Sequence, residues 1–158
     1  MQRSAIVFLF ISVFTFSCGS QHEGKQIDLY NGISITLRAN EEIEEITEAD
    51  TDAYFEVLGE RPYQAPLFRK VKSGSDVLYI GIPVGASVDE ILGDSVSADQ
   101  YENWRYSYKF YMQEGEAVSE IAAHGDGNTV LMVASGNESQ QFNTKFSADS
   151  LLSRLQNQ

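Results

Sequence analysis

Apolar residues along this chain recur with two different periods. Ile33, Ile35 and Leu37 alternate with Ser34, Thr36 and Arg38, which predicts a strand with one buried face. An apolar-rich run from Ile27 to Tyr30 precedes it across Asn31-Gly32, a dipeptide that tolerates positive φ at both positions and so predicts a two-residue hairpin. Leu67 to Lys72 and Val77 to Val84 predict two more strands around Ser73-Gly74-Ser75-Asp76. Val77 to Ile82 is nearly continuous apolar sequence, as expected of a strand covered on both faces. The clearest alternation runs from Trp104 to Met112. Trp104, Tyr106, Tyr108, Phe110 and Met112 share one face, and Arg105, Ser107, Lys109, Tyr111 and Gln113 share the other. Ala117 to Ala123 and Thr129 to Ser135 predict a last pair of strands joined by His124-Gly125-Asp126-Gly127-Asn128.

The helical period appears three times. Thr47 with Asp50 forms a variant capping box, followed by Ala49, Ala53, Tyr54, Val57 and Leu58 at helical spacing and by Gly59 as a stop. Ser87 with Glu90 caps a short helix over Val88 to Leu92 that ends at Gly93. Ser147 caps a final helix, Ala148 to Gln156, presenting Leu151, Leu152 and Leu155. Between these, Ala39 to Ile46 reads as acidic and irregular, and Arg61 to Pro66 as loop. The expected fold class is α+β: a largely antiparallel sheet of about six to seven strands with helices packed on it.

The first 17 residues differ from the rest. Arg3 gives a positive start, and Ala5 to Phe16 is apolar except for Ser12 and Thr15. As a helix this run is about 18 Å long, short of a hydrocarbon core of about 30 Å, but suited to a secretory signal ending in small residues. Cys18, the one cysteine of the chain, stands where such a signal ends. Thr15-Phe16-Ser17-Cys18 resembles a lipobox of the looser, Bacteroidetes type, although Thr15 and Phe16 depart from the usual aliphatic and small residues. The resemblance implies diacylglyceration of the Cys18 thiol and then cleavage before Cys18, with acyl chains such as palmitate. Two or three acyl chains hold a protein on a membrane where one is marginal. Gly19 after the cysteine favours an outer over an inner membrane. The chain thus divides into a signal peptide (1–17), a lipidated cysteine with a polar tether (18–26) and a single domain (27–158).

The formal net charge of −12 repels nucleic acid and anionic headgroups. The run Glu41, Glu42, Glu44, Glu45, Glu48, Asp50 and Asp52 is expected to form a solvated acidic face. It fails as a calcium loop, because Phe55 and Arg61 stand where an EF-hand needs Gly and Glu. His22 and His124 are the only histidines and lack zinc-ligand spacing. No nucleophile elbow, phosphate loop or dinucleotide fingerprint is present. No cofactor, metal or catalytic residue is therefore expected. The stripe from Trp104 to Phe110 reads mainly as core, since aromatics bury the largest areas. Tyr101, Trp104, Tyr106 and Tyr111 are the candidate contacts for a partner or ligand, with Tyr101 and Tyr111 the more exposed.

The element order resembles that of PsbP-like and DcrB-like α/β/α domains. The shared layout comprises an opening hairpin, an early helix, a central apolar strand, a short helix, closing antiparallel strands, and a C-terminal helix that begins Ser147-Ala148-Asp149-Ser150-Leu151-Leu152. The resemblance implies a non-enzymatic accessory or binding role; the tether, the acidic surface and the missing catalytic machinery lead to the expectation of an envelope protein as partner. The competing expectation is a periplasmic or surface module that binds a small ligand or glycan through exposed aromatics.

Overall fold

The computed structural model describes residues 24–93 and 99–157; the expected signal peptide (1–17), Cys18 and His22 lie outside the described residues. In chain order the elements are β1 (Gln26–Tyr30), β2 (Ile33–Thr36), β3 (Glu41–Glu44), α1 (Glu48–Leu58), β4 (Leu67–Ser73), β5 (Asp76–Gly81), α2 (Val88–Leu92), β6 (Asp99–Tyr101), β7 (Trp104–Gln113), β8 (Glu116–Gly125), β9 (Asn128–Gly136), α3 (Gln140–Lys145), α4 (Ala148–Leu152) and β10 (Leu155–Asn157). Seven strands form one sheet in the order β3-β4-β5-β9-β8-β7-β6, and β1-β2-β10 form a second. Every strand pair is antiparallel, so the expected α+β class with a largely antiparallel sheet holds.

Local signals act where they were expected. Asn31 and Gly32 both take positive φ, 46° and 80°, and join β1 to β2. The Thr47 hydroxyl accepts from the Asp50 amide while the Asp50 carboxylate accepts from the Thr47 amide, closing the capping box of α1. Ser87 and Glu90 do the same for α2.

The large sheet is the middle of three layers. On one face Leu78, Ile80, Ile121, Val130 and Met132 pack against the small sheet and against Phe142, Phe146, Leu151 and Leu152 of the C-terminal helices. On the other face Tyr79, Val118, Leu131 and Val133 meet Tyr54 and Leu58 of α1 and Ile91 and Leu92 of α2. The strands β5, β9 and β8 are thus covered twice, which is why Val77 to Ile82 and Val130 to Ala134 read as unbroken apolar runs, while β8 carries Ser119 and Glu120 among its apolar residues.

Four expectations need correction. Glu41 to Glu44 is a strand instead of irregular chain. It pairs with β4 so that Glu42 faces Lys72 and Glu44 faces Lys70. Opposite charges across the pair support a strand that its own propensity disfavours, and a charged edge resists further pairing. The helix starting at Ala148 ends at Leu152, because Leu155 to Asn157 adds to the open edge of β2. That edge offers backbone partners that a prolonged helix would leave unmet. The polar segment Gln140–Lys145 forms a helix the periodicity did not predict, capped by Ser139 and buried only through Phe142. The end of the polar tether, finally, is part of the fold: Leu37 N–H donates to the Lys25 carbonyl at 2.9 Å.

Candidate functional site

The sequence-predicted aromatic contacts do not form one site. Trp104 is 3% exposed and belongs to the core under the small sheet. Tyr106 is half-buried against the same core, as is Tyr101, which pairs with Trp104 across β6 and β7. Tyr111 faces the opposite side, under α1. Its hydroxyl donates to the Val57 carbonyl at 3.3 Å and lies 3.4 Å from Glu120 Oε2. Burial, reinforced by the Glu120 carboxylate, pushes that phenol up to about 12. Tyr111 is therefore engaged in the fold and is not the exposed contact expected of its face. The exposed apolar members of the strand are Phe110 and Met112, at 41% and 48%; Phe110 belongs to the stripe expected in the core. The cover of small sheet and C-terminal helices reaches Tyr108, whose hydroxyl meets the Phe146 carbonyl at 3.3 Å, and leaves the far end of β7 open. His124 Nδ1 sits 2.8 Å from Thr129 Oγ1 across the hairpin that ends in Asp126 and Gly127.

The acidic run is not simply a solvated face. Asp50 and Glu41 are both buried, because basic side chains from other elements reach them. Asp50 Oδ1 lies 2.8 Å from Lys70 Nζ and 3.4 Å from the Tyr79 hydroxyl, while Oδ2 takes the Thr47 amide. The Lys70 ammonium, and then the Thr47 hydroxyl, hold its carboxyl well below the usual range. The unfolded chain takes up a proton near the ordinary value of 3.8, and the folded chain does not. The stabilisation is complete above that value and drains away as the pH falls below it. Urea midpoints are expected to fall more steeply between about pH 4 and about pH 2.5 in the wild type than in Asp50→Asn. At neutral pH the variant should be less stable by about 1–2 kcal/mol. Parallel slopes in acid would remove Asp50 as the cause.

A second buried charge lies beneath α1. Glu120 points from β8 into the α1 and α2 layer, where its Oε2 accepts from Arg61 Nη2 at 2.7 Å. Arg61 Nε also donates to the Leu58 carbonyl at 2.9 Å, tying the end of α1 to the sheet. The spacing of Arg61 and Glu120 in the sequence gave no hint of this pair.

The third arrangement is a notch between the first hairpin and the C-terminal segment. Gly24, Lys25, Thr36, Arg38, Ser153 and Arg154 are among its lining residues. Glu41 sits beneath it with its side chain fully buried. Its Oε2 pairs with Arg154 Nη2 and accepts from the Arg38 amide at 3.0 Å, and its Oε1 accepts from the Ser73 hydroxyl at 3.1 Å. Arg154 Nε donates to the Thr36 carbonyl at 3.0 Å. Arg38 Nη2 donates to the Lys145 carbonyl at 2.8 Å and to the Ser150 hydroxyl, and its Nη1 stands 3.6 Å from Glu41 Oε1. Two guanidiniums thus share one carboxylate. Burial first, with the nearby Arg38 charge adding to it, draws the Arg154 guanidinium down to about 10 against the pull of Glu41. Apart from Glu41, a member of the acidic run, none of these residues was singled out from the sequence, where Arg38 and Arg154 read as ordinary polar positions.

The fold and this notch define a three-layer α+β domain with a basic hollow where the chain enters it. No protein-family model matches the chain, and no curated protein sequence matches it. A solved structure from Bacteroides thetaiotaomicron is similar in fold, with a TM-score of 0.50 at 14% identity over 86% of this chain. The likeness covers 49% of that protein, so this chain spans about half its length.

Proposed function

We propose that this chain is a lipid-anchored accessory domain of a bacterial cell envelope, held on the outer membrane through Cys18 and serving to dock a partner protein. The observation that carries the reading is the apolar export segment ending in Ser17-Cys18, followed within residues 19–23 by the packed start of the domain at Gly24. A tether that short keeps the domain close to the bilayer, on the order of 15 Å away. The charged clusters support a non-enzymatic role, since Glu41, Asp50 and Glu120 each serve to tie one element to another. The open apolar end of β7, Phe110 with Met112, is the surface on which a protein partner would gain most by burial. A glycan platform finds less support, because Trp104 is in the core.

The test is metabolic labelling with palmitate and membrane fractionation of the wild type beside Cys18→Ser, in a bacterial host. The wild type should carry label and sediment with membranes, and Cys18→Ser should lose the label and be released. Equal behaviour of the two would overturn the anchoring. Crosslinking in the same strains should recover a specific envelope protein from the wild type, and Met112→Glu should abolish that recovery.

A further inference from the structure

We propose that the notch beside the chain entry binds a phosphate group, with Arg154 at its floor, Arg38 on its wall and Lys25 at its rim. Three observations carry this. The first is the sign of the charge. In a chain of net −12, this hollow gathers Lys25, Arg38 and Arg154 around Glu41 as the one acidic residue of its lining. One carboxylate neutralises one guanidinium, so the hollow keeps a positive surplus.

The second observation is a pair of idle donors. Arg154 is 5% exposed, and its Nη1 is buried with no hydrogen-bond partner among the described residues. Arg38 Nη1 is likewise buried and without a hydrogen bond, since 3.6 Å to Glu41 Oε1 is too long for one. A buried donor left unmet keeps its desolvation cost without the hydrogen bond that would offset it. An incoming oxyanion would satisfy both guanidiniums at once.

The third is donor geometry. Arg38, Arg154 and the exposed Lys25 all line one hollow, which brings three cationic side chains to it. A carboxylate offers two oxygens in one plane, whereas a phosphate offers a tetrahedral set, three terminal oxygens in a monoester and two in a diester, and matches guanidinium forks in spacing. The phosphate could belong to a lipid headgroup or to a soluble phosphate ester. If the anchoring proposed above holds, headgroup phosphates lie within the span of residues 19–23, which makes lipid the nearer source. The phosphate site itself does not depend on that anchoring.

The test uses the full chain in a non-ionic detergent, titrated with inorganic phosphate and followed by the 15N resonances of the arginine Nε–H groups. Saturable shifts at two arginines are expected, with a Kd in the millimolar range. Arg38→Gln should weaken binding about tenfold or more. Lys25→Glu alters an exposed side chain and leaves the packing intact, so its several-fold loss of affinity cannot be put down to unfolding. Glu41→Gln removes the competing carboxylate, so added phosphate should raise its melting temperature more than that of the wild type. Absence of saturable shifts, or equal affinity in wild type and Lys25→Glu, would overturn the site. A parallel titration with glycerophosphoethanolamine, a diester headgroup mimic, distinguishes the sources. Comparable binding of the mimic upholds the site as one for lipid. Binding of inorganic phosphate alone upholds it as one for a soluble ester. Should Cys18→Ser prove the anchoring wrong while phosphate still binds, the notch stands without the membrane.

Discussion

Gly81→Ala is expected to destabilise the fold by about 2–3 kcal/mol, through one methyl group in a space that has no room for it. A Cβ at that position would stand 2.0 Å from the Tyr54 hydroxyl oxygen, 3.0 Å from its ring carbon and 3.3 Å from the Ala65 carbonyl. Tyr54 cannot retreat. It is fully buried, its hydroxyl donates to the Ala65 carbonyl at 2.9 Å, and its ring meets the edge of Tyr79 at 5.9 Å between centroids. The residue it would displace is the main anchor of α1 on the sheet. Tyr54→Phe supplies the control. Alone it should cost about 1 kcal/mol for the lost hydrogen bond. In that background Gly81→Ala should cost clearly less than in the wild type, a coupling of about 1 kcal/mol in a urea-denaturation double-mutant cycle. Strict additivity would show that the hydroxyl is not what excludes the methyl group.

The other large effect concerns the charge buried beneath α1. Arg61→Ala should cost about 3 kcal/mol, because it leaves the Glu120 carboxylate, 5% exposed at the side chain, without its cation. Part of the loss comes from the freed Leu58 carbonyl, which gives up the Arg61 Nε donor at the end of α1. Glu120→Gln should cost less than Arg61→Ala. It removes the charge that most needs compensation, keeps an acceptor for the Tyr111 hydroxyl, and leaves a cation whose side chain is 19% exposed. The double variant Arg61→Met with Glu120→Leu should recover most of the stability lost in Arg61→Ala, since apolar packing often replaces a buried ion pair without loss. Equal costs for the two single variants would mean that the pair is screened by solvent and contributes little.

Both predictions involve contacts invisible to periodicity, and the same holds for the notch. Arg154 and Glu41 are 113 residues apart, Arg61 and Glu120 are 59 apart, and Lys145 reaches Asp76 across 69. Each of these residues has an ordinary polar identity and an ordinary local pattern. The strand Trp104–Gln113 makes the point from the other side. Alternation correctly separated its two faces, yet one face runs from buried Trp104 to exposed Met112. Where along a strand the cover stops depends on elements more than thirty residues away in sequence.

What the sequence determined by itself is therefore local. The Asn31-Gly32 turn, the Thr47–Asp50 and Ser87–Glu90 caps, and the doubly covered run Val77–Ile82 followed from backbone freedom, capping chemistry and side-chain period, each settled within a few residues. Tertiary structure alone decided that Glu41–Glu44 is a strand, because its acidic side chains needed the facing Lys70 and Lys72. It decided too that Leu155–Asn157 is a strand, because β2 offered an open edge. It buried Glu41 and Asp50 against expectation, and Glu120 with them, because a charge leaves water only when the assembled fold brings a partner of opposite sign within hydrogen-bonding reach.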